Sequence, residues 1–137
     1  MKTKLFLIFV LLICAFPVKS STWIETGNYD ISWYDDISSV FELSTAKELA
    51  GVAYLCNSGK IFTGKTIKLT ADVDLGNYDW DMIDNFNGIF NGDGHIIKNI
   101  RYNYQTTHTG TYYSSFIKTL QNAAIIENTW FQNISFS

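Results

Sequence analysis

The chain is short of cysteine, of basic clusters and of long apolar runs, and each shortage closes off a class of protein. Two cysteines occur in 137 residues: Cys14, inside an N-terminal apolar run, and Cys56. If that run is removed, one thiol remains, so no internal disulfide can form even where export would permit one. Stability must then come from packing. The net charge is −3 with a pI near 5.2, and no basic run exists. Neutralising phosphates takes clustered Lys and Arg, so nucleic acid is not expected as a partner. A permanent membrane helix needs roughly twenty apolar residues; the run from Leu5 to Phe16 is shorter.

Sites for metals and cofactors are also lacking. His95, His108 and one remaining cysteine give no zinc spacing. Asp72, Asp74, Asp79, Asp81 and Asp84 are numerous, but they lack the fixed offsets and closing Glu of a calcium loop and read as solvated turns. No nucleophile motif marks a Ser-His-Asp arrangement. No cofactor, no metal and no catalytic residue is expected.

What is present begins with an export signal. Lys2 and Lys4 precede the apolar run, and Pro17, Ser20 and Ser21 follow it. A basic start, an apolar core and a small-residue exit mark a secretory signal peptide over 1–20, cut before Ser21. An uncleaved anchor and lipidation at Cys14 are the competing readings. Lipidation is disfavoured by Ile13, where a small residue is required. Membrane contact is therefore expected only through this segment, and the mature chain is placed outside the cell or on its surface. Roughly 117 residues remain, one modest domain. Aromatics are 16% of the chain and charged residues 17%, so it buries surface readily and is not a disordered composition.

Residues 21–42 are aromatic and acidic without a clear period, and read as an extended leader with one short strand near Ile31 to Tyr34. "LSTAKELAGVAYLCNSG" is a helix signal. Thr45 and Glu48 have capping-box spacing. Ala46, Leu49, Ala53 and Cys56 share a face that Val52 widens, and Gly59 can end the helix. Gly51 costs about 1 kcal/mol in a helix interior, which suggests close approach to a neighbour. Strands are expected after it: Ile67 and Leu69 alternate with Lys68 and Thr70, Val73 and Leu75 resume the inward set, and further strands lie at His95–Tyr104 and Ala123–Phe136. Ile67, Ile97 and Ile126 stand about thirty residues apart, a loose solenoid period. A β-sandwich, with Asn-Gly hairpins at 87–88 and 91–92, is the competing arrangement.

"ELSTAKELAGVAYLCNSGKIFTGKTIKLTADVDL" followed by "FNGIFNGDGHIIKNI" resembles the start of a family of secreted and surface-attached bacterial proteins, common in Bacteroides and relatives. In these a "STAEEL…LA" helix leads into "GKTIKLTADIDL", a tryptophan and "F.G.FDGNGHTIKNL". The resemblance covers about Phe41 to Ile100. It implies a right-handed parallel β-helix resembling pectin lyases, continued into adhesin-like repeats that carry a Gly-Leu-Phe-Gly stretch. The chain keeps Phe116 at that stretch but neither glycine. The expected architecture is mainly β: a short right-handed parallel β-helix over 43–137, about three coils, with the amphipathic helix capping the first. The far end shows no cap, which reads as a truncated form or as a coil that pairs with another molecule.

Gly88, Gly92, Asp93 and Gly94 could form a ligand loop with Asp93 and His95 as an acid/base pair. The preferred reading is a structural corner, where glycine relieves steric conflict and Asp tolerates left-handed geometry. Tyr102, Tyr104, Tyr112 and Tyr113 surround a polar segment, and exposed aromatics stack on sugars or fill partner pockets; packing inside the coil is the alternative. Asn133-Ile134-Ser135 matches a glycosylation sequon. The function expected is a non-catalytic, adhesin-like surface module whose partner is a glycan or a host or cell-surface protein. Alternatives are a fragment of a carbohydrate-active lyase or hydrolase, and a small secreted subunit that docks, or self-associates, through its open C-terminal coil.

Overall fold

The computed structural model describes residues 20–103 and 114–136. The fold is mainly β, with every strand pairing parallel. The elements are β1 (Val40–Leu43), α1 (Ala46–Asn57), β2 (Thr66–Leu69), β3 (Val73–Asp74), β4 (Ile89–Asn91), β5 (Ile96–Tyr102), β6 (Ile125–Glu127) and β7 (Trp130–Phe136). Two sheets result, ordered β1-β2-β4-β6 and β3-β5-β7. The Asn-Gly pairs at 87–88 and 91–92 form no hairpin, because β4 between them pairs with β2 and β6, both parallel to it.

Successive strands stand in register, so like side chains stack. Phe41 pairs with Ile67, Ile67 with Phe90, and Phe90 with Ile126. In the other sheet Val73 pairs with Ile97 and Ile97 with Phe131, while Ile100 faces Ile134 and Tyr102 faces Phe136. Ile67, Ile97 and Ile126 are therefore not one repeating position. Ile67 and Ile126 share a column with Phe90 between them, and Ile97 belongs to the second sheet. After β1, each passage of the chain contributes two short strands, one to each sheet, and a search for one strand per period merges them.

The helix starts as its cap dictates. The Thr45 hydroxyl accepts from the Glu48 backbone N–H at 3.2 Å, and Glu48 Oε2 accepts from the backbone N–H of Thr45 at 2.9 Å, so two orphan donors are satisfied reciprocally. Leu49, Ala53 and Cys56 are buried as expected and Ala46 partly so. Ala50, Gly51 and Leu55 are buried as well, because residues 21–42 do not run out as a plain leader. Trp23 is buried, Tyr29 stacks on Tyr54 at 4.1 Å between ring centroids, and the Asp30 N–H donates to Lys47 O at 2.9 Å. The helix is covered on two sides.

Two details of this region differ from the sequence expectation. Ile31–Tyr34 forms no strand, since Asp30 Oδ1 accepts from the Ser32 N–H and Asp35 Oδ1 from the Ile37 N–H. Such local bonds draw the backbone into turns. The strand lies instead at β1, so a boundary at 42–43 cuts through an element of the first sheet.

Candidate interaction surface

The corner at 88–94 works by close approach and left-handed backbone together. A Cβ on Gly88 would meet Lys65 O and Phe62 O at 2.8 Å, and one on Gly92 would meet Asn128 O at 2.5 Å. Those glycines let neighbouring passages touch. Asp93 (φ 50°) and Gly94 (φ 83°) then turn the chain. Asp93 and His95 do not meet as a pair. Asp93 Oδ2 lies 3.1 Å from Lys68 Nζ, and His95 Nδ1 lies 3.4 Å from Asp72 Oδ1. The Ile96 backbone N–H, at 3.0 Å, and His95 hold the Asp72 carboxyl below the usual range despite opposing desolvation. Among the described residues no group of three or more His, Cys, Asp or Glu side chains is placed to hold a metal ion.

Of the four tyrosines, Tyr104, Tyr112 and Tyr113 lie outside the described residues, as does the signal segment up to residue 19. Tyr102 is not a surface contact. It is 7% exposed and stacks on Phe136 at 5.6 Å, because the left-handed turn at Asn99 resets the alternation of β5 and points Ile100 and Tyr102 inward. No helix among the described residues is long and apolar enough to cross a membrane.

The exposed apolar surface lies elsewhere, at the last members of the columns. Phe41, Ile67 and Phe90 are buried, but Ile126 is 40% exposed. Val73 and Ile97 are buried, but Phe131 is 41% exposed; Ile100 is buried, but Ile134 is 48% exposed. Trp130 and Ile125 are exposed as well, at the outward positions that pair with Ile96 and Ile89. Among the described residues, Ile126, Phe131 and Ile134 each have a paired residue beneath them and none above. Burying a wholly exposed side chain of this kind contributes about 1.5–3 kcal/mol. These three are already more than half buried, so covering each contributes less than half of that toward the cost of association.

The same edge carries a ladder of amides. Asn99 Nδ2 donates to both carboxylate oxygens of Asp74, at 3.0 and 2.9 Å, and Asn133 Nδ2 donates to Asn99 Oδ1 at 3.2 Å. Asn99 (φ 59°) and Asn133 (φ 55°) are both left-handed, a conformation Asn tolerates better than most residues. Asn128 repeats the arrangement on Asn91, at 3.3 Å, and Gln121 on Asn85, at 2.6 Å. The signal was present in the sequence as two copies of Asn-Ile at matching strand positions.

Beside the ladder runs an open groove of about 580 Å³, lined by Gly76, Asn99, Arg101, Asn133, Ile134 and Ser135. Arg101 Nε lies 3.6 Å from Oδ1 of the buried Asp79. A smaller groove of about 240 Å³ holds Asn57, Asp81, Asp84 and Lys118. There burial raises the Asp81 carboxyl, whereas the hydrogen bond from Lys118 lowers that of Asp84. No protein-family model matches the chain, and neither curated proteins nor solved structures give a match.

Proposed function

We propose that the chain is a short right-handed parallel β-helix, closed at its β1 end by α1, and that it serves as a non-catalytic, exported binding module. This is the adhesin-like surface class that its helix and "GKTIKLTADVDL" segment resemble. Its binding face is the β6–β7 rung, and its partner is a polypeptide. The observation that supports this reading is the gradient along each stacked column, buried at every level until the last. A parallel rung that ends in water leaves apolar side chains and backbone groups that a partner strand can cover.

Dye binding and sedimentation test the face. The chain from Ser21 onward should bind an apolar dye, and a Phe131→Glu, Ile134→Glu variant should lose that binding with its far-ultraviolet circular dichroism unchanged. A monodisperse wild-type chain that binds no dye would sink the proposal. Export is checked separately by the N-terminus of protein recovered outside the cell, which should be Ser21.

A second reading follows from the groove beside the ladder. Arg101 and the amides of Asn99 and Asn133 are groups that hydrogen-bond sugar hydroxyls, so a glycan is the alternative partner. A glycan-array signal lost in Arg101→Ala but kept in the Phe131→Glu, Ile134→Glu variant would favour it.

A further inference from the structure

We propose that Tyr29 and Tyr54 form an oxidative cross-linking site, at which a peroxide-driven phenol oxidant joins their rings and fixes residues 21–42 covalently to α1. The site is built wholly from residues between 21 and 57 and does not depend on the β6–β7 face. From Ser21 onward Cys56 is the one thiol, and it is free and buried. A link between phenols ties there what no internal disulfide can.

One stripe of α1 builds the site. Lys47, Gly51 and Tyr54 follow one another at helical spacing, so they share a face of the helix. Asp30 is fixed against the first two. Its N–H donates to Lys47 O at 2.9 Å, and its carbonyl oxygen lies where a Cβ on Gly51 would stand. Trp33 Nε1 donates to that same oxygen at 2.7 Å, and the Asn28 N–H donates to Trp23 O at 3.1 Å. The backbone is thus held on both sides of Tyr29, and its ring is set over Tyr54. The ring centroids are 4.1 Å apart and the planes 15° from parallel. Hydrogen bonding with Tyr54, ahead of desolvation, holds the Tyr29 phenol above its usual range, so the hydroxyl ends of the stack lie together. Both rings are half-buried, within reach of an oxidant at the surface. Among the described residues no second pair of tyrosines stacks: Tyr34 lies on Phe41, and Tyr78 meets the edge of Trp23.

Hydrogen peroxide, used through a haem peroxidase, is the oxidant. Each phenol gives up one electron and one proton and becomes a phenoxyl radical. The radicals couple through one new bond between Cε carbons, ortho to the hydroxyls. The hydrogens on those carbons then shift to the oxygens and restore both phenols. Two electrons and two protons leave in all, and one peroxide takes them up to become two waters. A stack with its hydroxyls together sets the ortho carbons of one ring over those of the other, which turns a bimolecular encounter into an internal step. The product closes a loop from residue 29 to residue 54, and such a tie lowers the entropy of the unfolded chain.

The chain from Ser21 onward, dilute and treated with peroxide and a haem peroxidase, tests the site. A monomer lighter by two hydrogens is expected, with dityrosine fluorescence and a proteolytic peptide pair that joins Tyr29 to Tyr54. Its urea midpoint should rise above that of the untreated chain. Tyr29→Phe keeps a ring on Tyr54 but has no phenol to oxidise, so it should lose this linkage with its circular dichroism unchanged. Treatment in concentrated urea should lose it too, because the stack is gone. No linkage, or one mapped to other tyrosines such as Tyr104, Tyr112 or Tyr113, would overturn the inference. So would an equal 29–54 yield from the unfolded chain, or covalent dimers in place of the internal link. The dye test of the β6–β7 face is read independently of all these outcomes.

Discussion

The backbone oxygen of Asp30 occupies the space that a side-chain carbon on Gly51 would need. That contact ties residues 21–42 to the outer face of α1, and it reverses an ordinary rule. Gly→Ala in a helix interior normally stabilises by about 1 kcal/mol. At Gly51 the added methyl meets main chain that cannot rotate away, so Gly51→Ala should destabilise by about 1–3 kcal/mol, the scale of overpacking. Urea unfolding checks the sign, and an unchanged or raised midpoint would show that residues 21–42 do not sit on the helix.

The cost of truncation should depend on height in the stack. Phe90 is wholly buried, in edge contact with Phe86 and Phe116 at 6.5 and 5.5 Å. Phe90→Ala should cost about 3–5 kcal/mol. Ile126 occupies the next position of the same column but is 40% exposed, and Ile126→Ala should cost well under half as much, because less area returns to water. Equal losses in chemical denaturation would mean that Ile126 is covered in solution.

Acid should weaken the ladder at its base. The Asn99 amide and the Gly76 N–H bond the Asp74 carboxylate and hold its pKa below the usual range, with Lys98 assisting and desolvation opposing. The folded chain therefore binds this proton less readily than the unfolded chain. The stabilisation is present above about pH 4 and is lost as pH falls through the lower folded value. Asp35, Asp72 and Asp84 act in the same direction. Asp74→Asn should lower the melting temperature at pH 7 and flatten its decline in acid. Asp81 runs the other way. Burial raises its pKa, so Asp81→Asn, which keeps an acceptor for the Ile24 N–H, should leave stability at pH 7 unchanged or higher.

Cys56 should be chemically silent in the native chain. It is buried on α1, and desolvation pushes its thiol up to about 12, so almost no thiolate exists at neutral pH. Alkylation should follow unfolding, not binding at the β6–β7 face. Rapid modification of folded protein would show that α1 opens.

The helix was legible because its signals are local. Thr45, Glu48 and Gly59 act within a turn of their own positions, and the Leu49–Cys56 stripe repeats at helical spacing. The inward set Ile67, Leu69, Val73 and Leu75 was legible for the same reason. β1 was missed, since four residues in an aromatic, acidic stretch carry no period, and its strand character comes from pairing with β2. Of the two readings kept open for Tyr102, packing inside the coil is the one its burial fits, and the left-handed step at Asn99, which turns it inward, has no mark in a simple alternation. Asp79, paired with Arg101 far along the chain, had no local mark at all.

Taken alone, the amino-acid order determined what neighbours along the chain can settle: where a capped helix starts and stops, which residues alternate, where glycine and asparagine permit a corner. The tertiary structure decided what distant residues settle: that all strands pair parallel, that Phe41, Ile67, Phe90 and Ile126 form one column, and that Ile126, Phe131 and Ile134 end exposed. Burial depends on what stands above and below a side chain in the stack. That information is carried by residues dozens of positions away, and no window along the sequence contains it.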